Sequence, residues 1–302
     1  MKQKSPENNF KHNLFNLIFI SALLVLITAC VCQSDRNNPE NAPANTAPVS
    51  QTDTNSSEPK KDKNKKEDRG DFIVEHLPVQ NPRYNELDRQ IKQEKTLEKA
   101  ADRLNRSLIL PQDIYLRTKD CGQSNAFYNP QDVSITICYE LMEHFYKIFR
   151  SVGDNDQKAY DSMFDAITFV FLHEMGHALV DQYNLPVTAN EEDAADRLSS
   201  FVCIEELGDD GVRAILAAAD AMKIESKMKT KTERDMADEH LLQEQRFFNS
   251  LCMVYGSNPE KYANIREEGY LPEDRAVRCP SEYDRTANSW SELLAPWRKK
   301  SS

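Results

Sequence analysis

Hydrophobic and polar residues change their spacing along this chain. In residues 110–122 and 132–140, apolar and polar side chains alternate, and the second segment, "DVSITICYE", concentrates β-branched residues. Alternation with a period of two is typical of half-buried strands. Asn, Gly and Pro lie between the two segments, so the pattern predicts two strands of an antiparallel sheet joined by turns.

Helical spacing dominates most of the remaining sequence from residue 83 onward. Residues 83–107 are charged and helix-forming, and "LMEHFYKIFRS" follows the second strand. Strands first and helices afterwards favour an α+β domain. The predicted helices span residues 83–107, 141–151, 158–182, 191–207 and roughly 232–254.

The first 29 residues have the composition of an export signal. Lysines precede an apolar run at 14–28, which is short for a transmembrane helix but has the length of a signal-peptide core. The run ends in "ITAC", which resembles the lipobox of bacterial lipoproteins, where the cysteine, here Cys30, becomes the lipidated N-terminus. The alternative is an ordinary cleaved signal with a chance cysteine.

Residues 30–70 are rich in Asn, Pro, Ser, Thr and Lys. Such a segment buries too little apolar surface to offset its ordering entropy, so it is predicted to be a disordered tether. Its lysines could contact anionic lipid, but interspersed acids favour a solvated linker. We therefore expect one folded domain, residues 71–298, attached by lipid to a bacterial membrane and facing the periplasm or the cell surface.

Composition and charge restrict the function further. The 302 residues are 39% hydrophobic and carry a net charge of −11, which argues against nucleic acid as a partner. Seven cysteines fit an oxidising compartment. Four of them flank local segments and predict two disulfides, Cys121–Cys138 and Cys252–Cys279. The alternative, a zinc–thiolate site, lacks any CxxC spacing.

The two other cysteines are not assigned to a bond. Cys203 lies on an apolar helical face and is most simply a buried free thiol. Cys32 lies beside Cys30 in the predicted tether.

Three polar side chains interrupt the apolar run "FVFLHEMGHALV" at 169–180. His173 and His177 are four residues apart, so on a helix both imidazoles project from one face toward a shared ion. Glu174 can then point at a water on the open side of that ion. This is the HExxH zinc signature, with the glutamate as general base. The alternative is a set of core residues with hydrogen-bond partners.

A catalytic zinc site needs a third protein ligand, and the next helix supplies a candidate. "EEDAAD" contains Glu192 and Asp196 at i and i+4, on one helical face. Glu192 could bind the metal, and Asp196 could accept the other ring N–H of a ligand histidine. A solvated acidic helix opening is the alternative.

These motifs together resemble the gluzincin, or thermolysin-like, zinc peptidases. In that group two helices give His, His and Glu to zinc, and an aspartate four residues after the glutamate orients a histidine. "NAFYNP" at 125–130 resembles the stretch that holds the peptide substrate beside an edge strand, which implies substrate-binding roles for Asn125 and Ala126. Residues 71–298 as a whole resemble a family of bacterial secreted metallopeptidases of unknown function.

The resemblance implies a zincin-like fold, one catalytic Zn²⁺ and a peptide or protein substrate. It also implies a histidine and a tyrosine in the helical half as donors to the oxyanion. His240, within "DEHLLQEQRF", is the histidine in that half, although the thermolysin spacing is not reproduced. A surface helix histidine is the alternative. The candidate tyrosines are Tyr128, Tyr255, Tyr270 and Tyr283.

Three functions follow from these patterns. The first is a lipid-tethered zinc endopeptidase acting outside the cytoplasm. The second is a non-catalytic lipoprotein of zincin fold that binds a partner and holds a structural metal. The third is a zinc hydrolase for a cell-wall or small substrate. Glu174 favours a catalytic site, because a structural zinc requires no base.

Overall fold

The computed structural model describes residues 66–188, 190–228, 232–233 and 237–300. The predicted signal peptide, Cys30, Cys32 and most of the predicted tether lie outside these residues. The described chain begins beside a sheet. There the backbone N–H of Arg69 donates to the carbonyl of Leu110 at 2.8 Å, and Gly70 forms an isolated bridge with the same residue.

The described part of the chain forms a four-stranded sheet. Its strands are β1 (Phe72–His76), β2 (Ile114–Lys119), β3 (Ala126–Asn129) and β4 (Ser134–Cys138), in the order β1-β2-β4-β3. All five residues of β4 are buried. A strand buried on both faces carries apolar and β-branched residues almost continuously, as "SITIC" does. β3 is left at an edge of the sheet.

The prediction of an antiparallel pair from the two alternating segments is wrong. β2 and β4 run parallel, with Tyr115 opposite Ser134 and Lys119 opposite Cys138. The sequence between them was interpreted as turns, but it contains β3, which pairs antiparallel with β4. The chain reverses direction twice, between β2 and β3 and again between β3 and β4, so β2 and β4 point the same way and the sheet is mixed.

Helices make up most of the fold, and together with the sheet they give it a mixed α and β architecture. Within the described residues they are α1 (Asn85–Glu94), α2 (Thr96–Ser107), α3 (Tyr139–Ser151), α4 (Asp156–Tyr183), α5 (Glu191–Val202), α6 (Asp209–Met228), α7 (Gln243–Ser257), α8 (Ala263–Glu267), α9 (Glu273–Ala276) and α10 (Cys279–Leu294). A π-helical turn, Cys203–Leu207, continues α5.

The helix predicted at roughly 232–254 is not continuous, because Glu233 is helical but residues 237–242 are not. Residues 237–240 form a bend, in which the Asp238 side chain accepts a hydrogen bond from the backbone N–H of His240 at 2.9 Å. Such local side-chain bonds compete with helical ones. α7 starts only at Gln243, where the side chain of Gln245 accepts from the N–H of Leu242 at 3.1 Å.

α6 was not predicted from the sequence. Its segment "AILAAADAM" is rich in alanine, so the two sides of the helix differ little in hydrophobicity and the helical pattern is weak. The structure buries Val212, Ile215 and Met222 of this helix together with its alanines. α6 packs against both α4 and α7, so it becomes a wall of the central helical layer.

α4 is the central helix of the core. It runs for 28 residues and begins at Asn155, whose side chain accepts from the backbone N–H of Lys158 at 2.9 Å. By length and composition it could cross a membrane, but 67% of its most apolar window is buried inside the protein. A core helix of a folded domain has these properties, and α4 packs against α3, α5 and α6.

Both predicted disulfides are confirmed. Cys121 is bonded to Cys138 and Cys252 to Cys279. Among the described residues, Cys203 is a free cysteine and is fully buried, as predicted. The first disulfide ties the end of β4 to the loop that precedes β3.

Removing the Cys121–Cys138 bond should lower the free energy of unfolding by about 3 kcal/mol, because the bond closes a 17-residue loop in the unfolded chain. Denaturant unfolding of the Cys121→Ala/Cys138→Ala variant measures this change. Wild-type protein unfolded with and without reductant serves as the control. An unchanged transition, or alkylation of both thiols in the non-reduced protein, would contradict the prediction.

Candidate metal centre

α4 and α5 approach each other closely at the "HEMGH" motif. A Cβ added to Gly176 would lie 3.0 Å from the Cα of Ala195, so any larger residue there would push the two helices slightly apart. α5 begins at Asn190, whose side chain accepts from the N–H of Glu192 at 2.8 Å, and its first turn is acidic. The contact holds this acidic turn beside the two histidines of α4.

Donor atoms from three side chains converge between these helices. The Nε2 atoms of His173 and His177 are 3.2 Å apart. Glu192 places Oε2 at 3.1 Å from Nε2 of His173 and Oε1 at 3.4 Å from Nε2 of His177. One donor atom from each residue lies within 4.8 Å of the other two. Two imidazoles and one carboxylate fit a divalent metal ion.

The other ring nitrogen of each histidine is also held. Nδ1 of His173 donates to Asp196 at 2.8 Å, and Nδ1 of His177 donates to Glu191 at 2.8 Å. These two bonds turn both Nε2 atoms toward the centre, an arrangement that fixes tautomer and ring orientation in metal sites. Sequence reasoning had named Asp196 for this role. The sequence did not predict this role for Glu191, which lies in the acidic first turn of α5.

Arg246 of α7 lies behind Asp196 and was missed by sequence reasoning. Its Nε and Nη2 atoms each donate to the Asp196 carboxylate at 2.8 Å, and both side chains are largely buried. Although burial disfavours the charged carboxylate, Arg246 holds the pKa of Asp196 well below its usual range. The available signal was that Arg246 is the one cationic residue of α7 and directly precedes the apolar Phe247, because a buried cation requires a carboxylate partner.

The centre attracts positive charge. Burial disfavours an imidazolium, but hydrogen bonds to Asp196 and Glu192 raise the pKa of His173 to about 9. Burial also opposes charge on Glu192, yet His173 and His177 hold its pKa well below its usual range. In a site of this polarity a cation and protons compete for the same donor atoms.

Glu174 lies beside the centre but points to β3. Its side chain is buried, and Oε2 accepts a hydrogen bond from the backbone N–H of Tyr128 at 2.9 Å. Burial raises the pKa of the Glu174 carboxyl, while the neighbouring histidines lower it. A carboxyl tuned in this way is suited to accept and return a proton.

Asn125 and Ala126 both line the cleft that contains the centre. The carbonyl of Asn125 accepts from the N–H of Cys138 at 3.1 Å, so this group belongs to the sheet ladder. Ala126 begins β3 and lies opposite Ile137 of β4. The edge of β3 that does not pair with β4 therefore faces the cleft. There the backbone N–H of Tyr128 donates to Glu174 of α4.

His240 lies in the bend before α7, not in a helix. Its Nε2 is 2.9 Å from Oε2 of Glu192, and its ring stacks near that of His173, with 6.2 Å between centroids. Nδ1 is 3.1 Å from Asp238. The side chain is half-exposed and lines the cleft. The fold thus brings His240 to the edge of the candidate centre, through a bend that helical periodicity did not predict.

Of the four candidate tyrosines, Tyr128 lines the cleft. Its hydroxyl donates to Asp181 at 2.6 Å. Tyr255 is buried in α7, Tyr270 is exposed, and the hydroxyl of Tyr283 donates to Glu205. The described lining of the cleft includes none of these last three.

The cleft has a volume of about 1110 Å³ and is partly open to solvent. Its lining includes residues of β3, α3, α4, α5, α6 and the beginning of α7. A cleft of this size accommodates several residues of an extended chain, and its floor carries the convergent donor atoms.

Two histidines and a carboxylate that could hold a metal ion, with a buried glutamate beside them, are an arrangement suited to metal-assisted hydrolysis. The model of a protein family described as "Putative metallopeptidase" matches residues 76–294, well over half of the chain, and the chain belongs to this family. No curated protein and no solved structure matches the chain. Family membership implies a bound metal ion and a peptide or protein substrate.

Proposed function

We propose that this protein is a zinc-dependent endopeptidase of the gluzincin type, with His173, His177 and Glu192 as the zinc ligands. The spacing of the donor atoms supports this assignment. A zinc ion bound here would need one donor atom from each of its protein ligands within a few ångström of the others. The Nε2 atoms of His173 and His177 lie 3.2 Å apart, and one donor atom from each of the three residues lies within 4.8 Å of the other two.

A bound zinc supplies a Lewis acid that activates water and polarises the scissile carbonyl. The chain's own residues perform the proton transfers. Glu174, beside His173, takes the proton from the attacking water and returns it to the leaving amine. The backbone N–H of Tyr128 keeps one carboxylate oxygen of Glu174 in place. Asp196 and Glu191 keep the ligand imidazoles oriented.

The substrate binds along the open edge of β3. An extended peptide can add to the edge strand of a sheet as a further strand, beside the Tyr128 N–H that is bonded to Glu174. Asn125 and Ala126 stand at the start of this edge and line the cleft, which supports their assignment to substrate binding.

Cleavage of unfolded casein by the purified, zinc-loaded domain tests the proposal. Activity should disappear with a chelator and return when zinc is added. Zinc bound at one ion per chain without any cleavage would instead support the alternative of a structural metal in a partner-binding lipoprotein. Cleavage of cell-wall fragments but not of casein would support the hydrolase for other substrates.

His240→Ala should keep its zinc but lose activity by about 10²–10³-fold, the typical cost of losing one oxyanion donor. The position of His240 at 2.9 Å from Glu192 supports its assignment as this donor. The measurement is turnover of a peptide together with zinc content, because a change at this position could also disturb the ligand. Tyr128→Phe is the matched variant. Full activity in His240→Ala with loss in Tyr128→Phe would assign the donor to the tyrosine.

The site of action is proposed to be outside the cytoplasm, with the domain attached to a bacterial membrane through lipid on Cys30. The "ITAC" sequence before the tether supports this location. Two disulfides in the folded domain also support it, because such bonds persist in oxidising compartments.

A further inference from the structure

One part of the cleft is an apolar recess beside the metal centre, which we name the α6 pocket. It is bounded by helices that pack against one another, α3, α4 and α6. Its apolar lining consists of Leu141, Phe145, Val170, Ala218, Ala221 and Met222.

The α6 pocket lies close to the bond that would be cleaved. Val170 precedes His173 by one turn of α4, a rise of about 4.5 Å. An extended peptide advances by about 3.3 Å per residue. The pocket therefore receives a substrate side chain within one or two residues of the scissile bond.

A carboxylate interrupts this apolar lining. Glu225 follows Ala218, Ala221 and Met222 at helical spacing, so all four share one face of α6. Oε1 of Glu225 is 2.6 Å from Nε2 of His144, and Oε2 accepts from Nε2 of Gln243 at 3.1 Å. A carboxylate can accept about four hydrogen bonds, so these two leave it able to accept more.

Glu225 is not the main partner of the nearby cations: the charge of Arg246 acts on Glu225, but more weakly than on Asp196. Arg246 directs its guanidinium at Asp196 through two hydrogen bonds. Lys223 lies over the rings of Phe247 and Tyr270, at 5.0 and 5.1 Å. The described lining of the whole cleft contains seven acidic side chains and one arginine, so its field favours a cationic occupant.

We propose that the α6 pocket selects a lysine or arginine side chain of the substrate and that Glu225 is the residue that recognises its charge. This inference rests on the proposed peptidase function. The apolar walls receive the aliphatic stem of the basic side chain, and Glu225 accepts hydrogen bonds from its charged head. His144 and Gln243 hold the carboxylate in position. The substrate class is accordingly peptides with a basic residue next to the cleaved bond.

The test compares peptides that are identical except for Arg, Lys, Met or Glu next to the cleaved bond. Wild-type, zinc-loaded protein should favour Arg or Lys over Met by roughly 10- to 100-fold in kcat/KM, the range for a hydrogen-bonded charge. In Glu225→Gln this ratio should fall toward one. Asp181→Asn is the matched control, because it removes the same charge from the same cleft. Asp181 lies eleven residues along α4 from Val170, about 16 Å away. Its ratio should stay at the wild-type value.

Each outcome separates the pocket from the peptidase. Cleavage without a basic preference, or an equal loss of preference in both variants, overturns the role of Glu225 and leaves the peptidase intact. If no peptide is cleaved, the peptidase proposal fails, and anisotropy of the same labelled peptides on zinc-loaded protein decides the pocket alone. In that binding measurement, tighter binding of the Arg and Lys peptides that is lost in Glu225→Gln supports the inference. Equal affinity for all peptides overturns it. If Glu225→Gln does not fold, Glu225→Asp keeps the charge at a shorter reach and must still reduce the ratio.

Discussion

Glu174→Gln should remove almost all peptide cleavage while leaving zinc binding unchanged. General-base catalysis contributes about 10²–10⁴-fold, and the amide cannot take up a proton from water. The fold should be preserved, because the glutamine oxygen can still accept the hydrogen bond that Tyr128 donates to Glu174 at 2.9 Å. Initial rates on casein or a labelled peptide, with zinc content measured on the same sample, give the result.

Glu244→Gln is the control for this variant, since it replaces another carboxylate that lines the cleft. Its turnover should stay close to that of the wild type. If Glu174→Gln keeps wild-type turnover, Glu174 is not the general base. Loss of zinc in that variant would mean that Glu174 binds the metal and does not serve as the base.

Glu192→Gln should give the largest loss of zinc affinity among single changes in α5. The carboxylate lies 3.1 and 3.4 Å from the two Nε2 atoms that complete the donor set, and a neutral amide is a poor ligand for zinc. The loss should exceed the 10- to 100-fold that is typical when a group behind a ligand is changed. Competition with a zinc-binding dye measures both affinity and stoichiometry.

Glu191→Gln provides a graded comparison, because Glu191 orients His177 from behind at 2.8 Å and is not one of the converging donors. We expect Glu191→Gln to lose about 10- to 100-fold in zinc affinity and to retain one zinc per chain. If Glu192→Gln keeps the wild-type stoichiometry and affinity, Glu192 is not a ligand. A larger loss in Glu191→Gln than in Glu192→Gln would exchange the two assignments.

The local features of this protein could be predicted from its sequence, because they depend on neighbours along the chain. The disulfide Cys121–Cys138 follows from two cysteines that flank one short segment, and the long apolar helix around His173 follows from its spacing. The spacing of four between His173 and His177 already places both imidazoles on one face of a helix. Chain connectivity and helical geometry alone are enough for such statements.

The direction of the sheet could not be predicted in the same way. Alternation in residues 114–119 and 134–138 indicates strands, but pairing depends on how many times the chain reverses between them. β3 is a four-residue strand of intermediate burial inside a turn-rich segment, so its own pattern is weak. Its pairing with β4 makes the neighbouring pair parallel, and only the assembled sheet reveals this.

The sequence by itself determined the positions that are local in the chain: the histidine pair with Glu174, the acidic opening of α5 with Glu192, and the disulfide pairs. Only the tertiary structure decided which distant residues complete the site. Arg246 reaches Asp196 across fifty residues, and His240 reaches Glu192 from a bend. Glu225 belongs to a helix that the alanine-rich pattern concealed. The physical reason is that hydrophobic spacing reports which face of an element is buried, whereas the partner of that face is selected by packing between elements far apart in sequence.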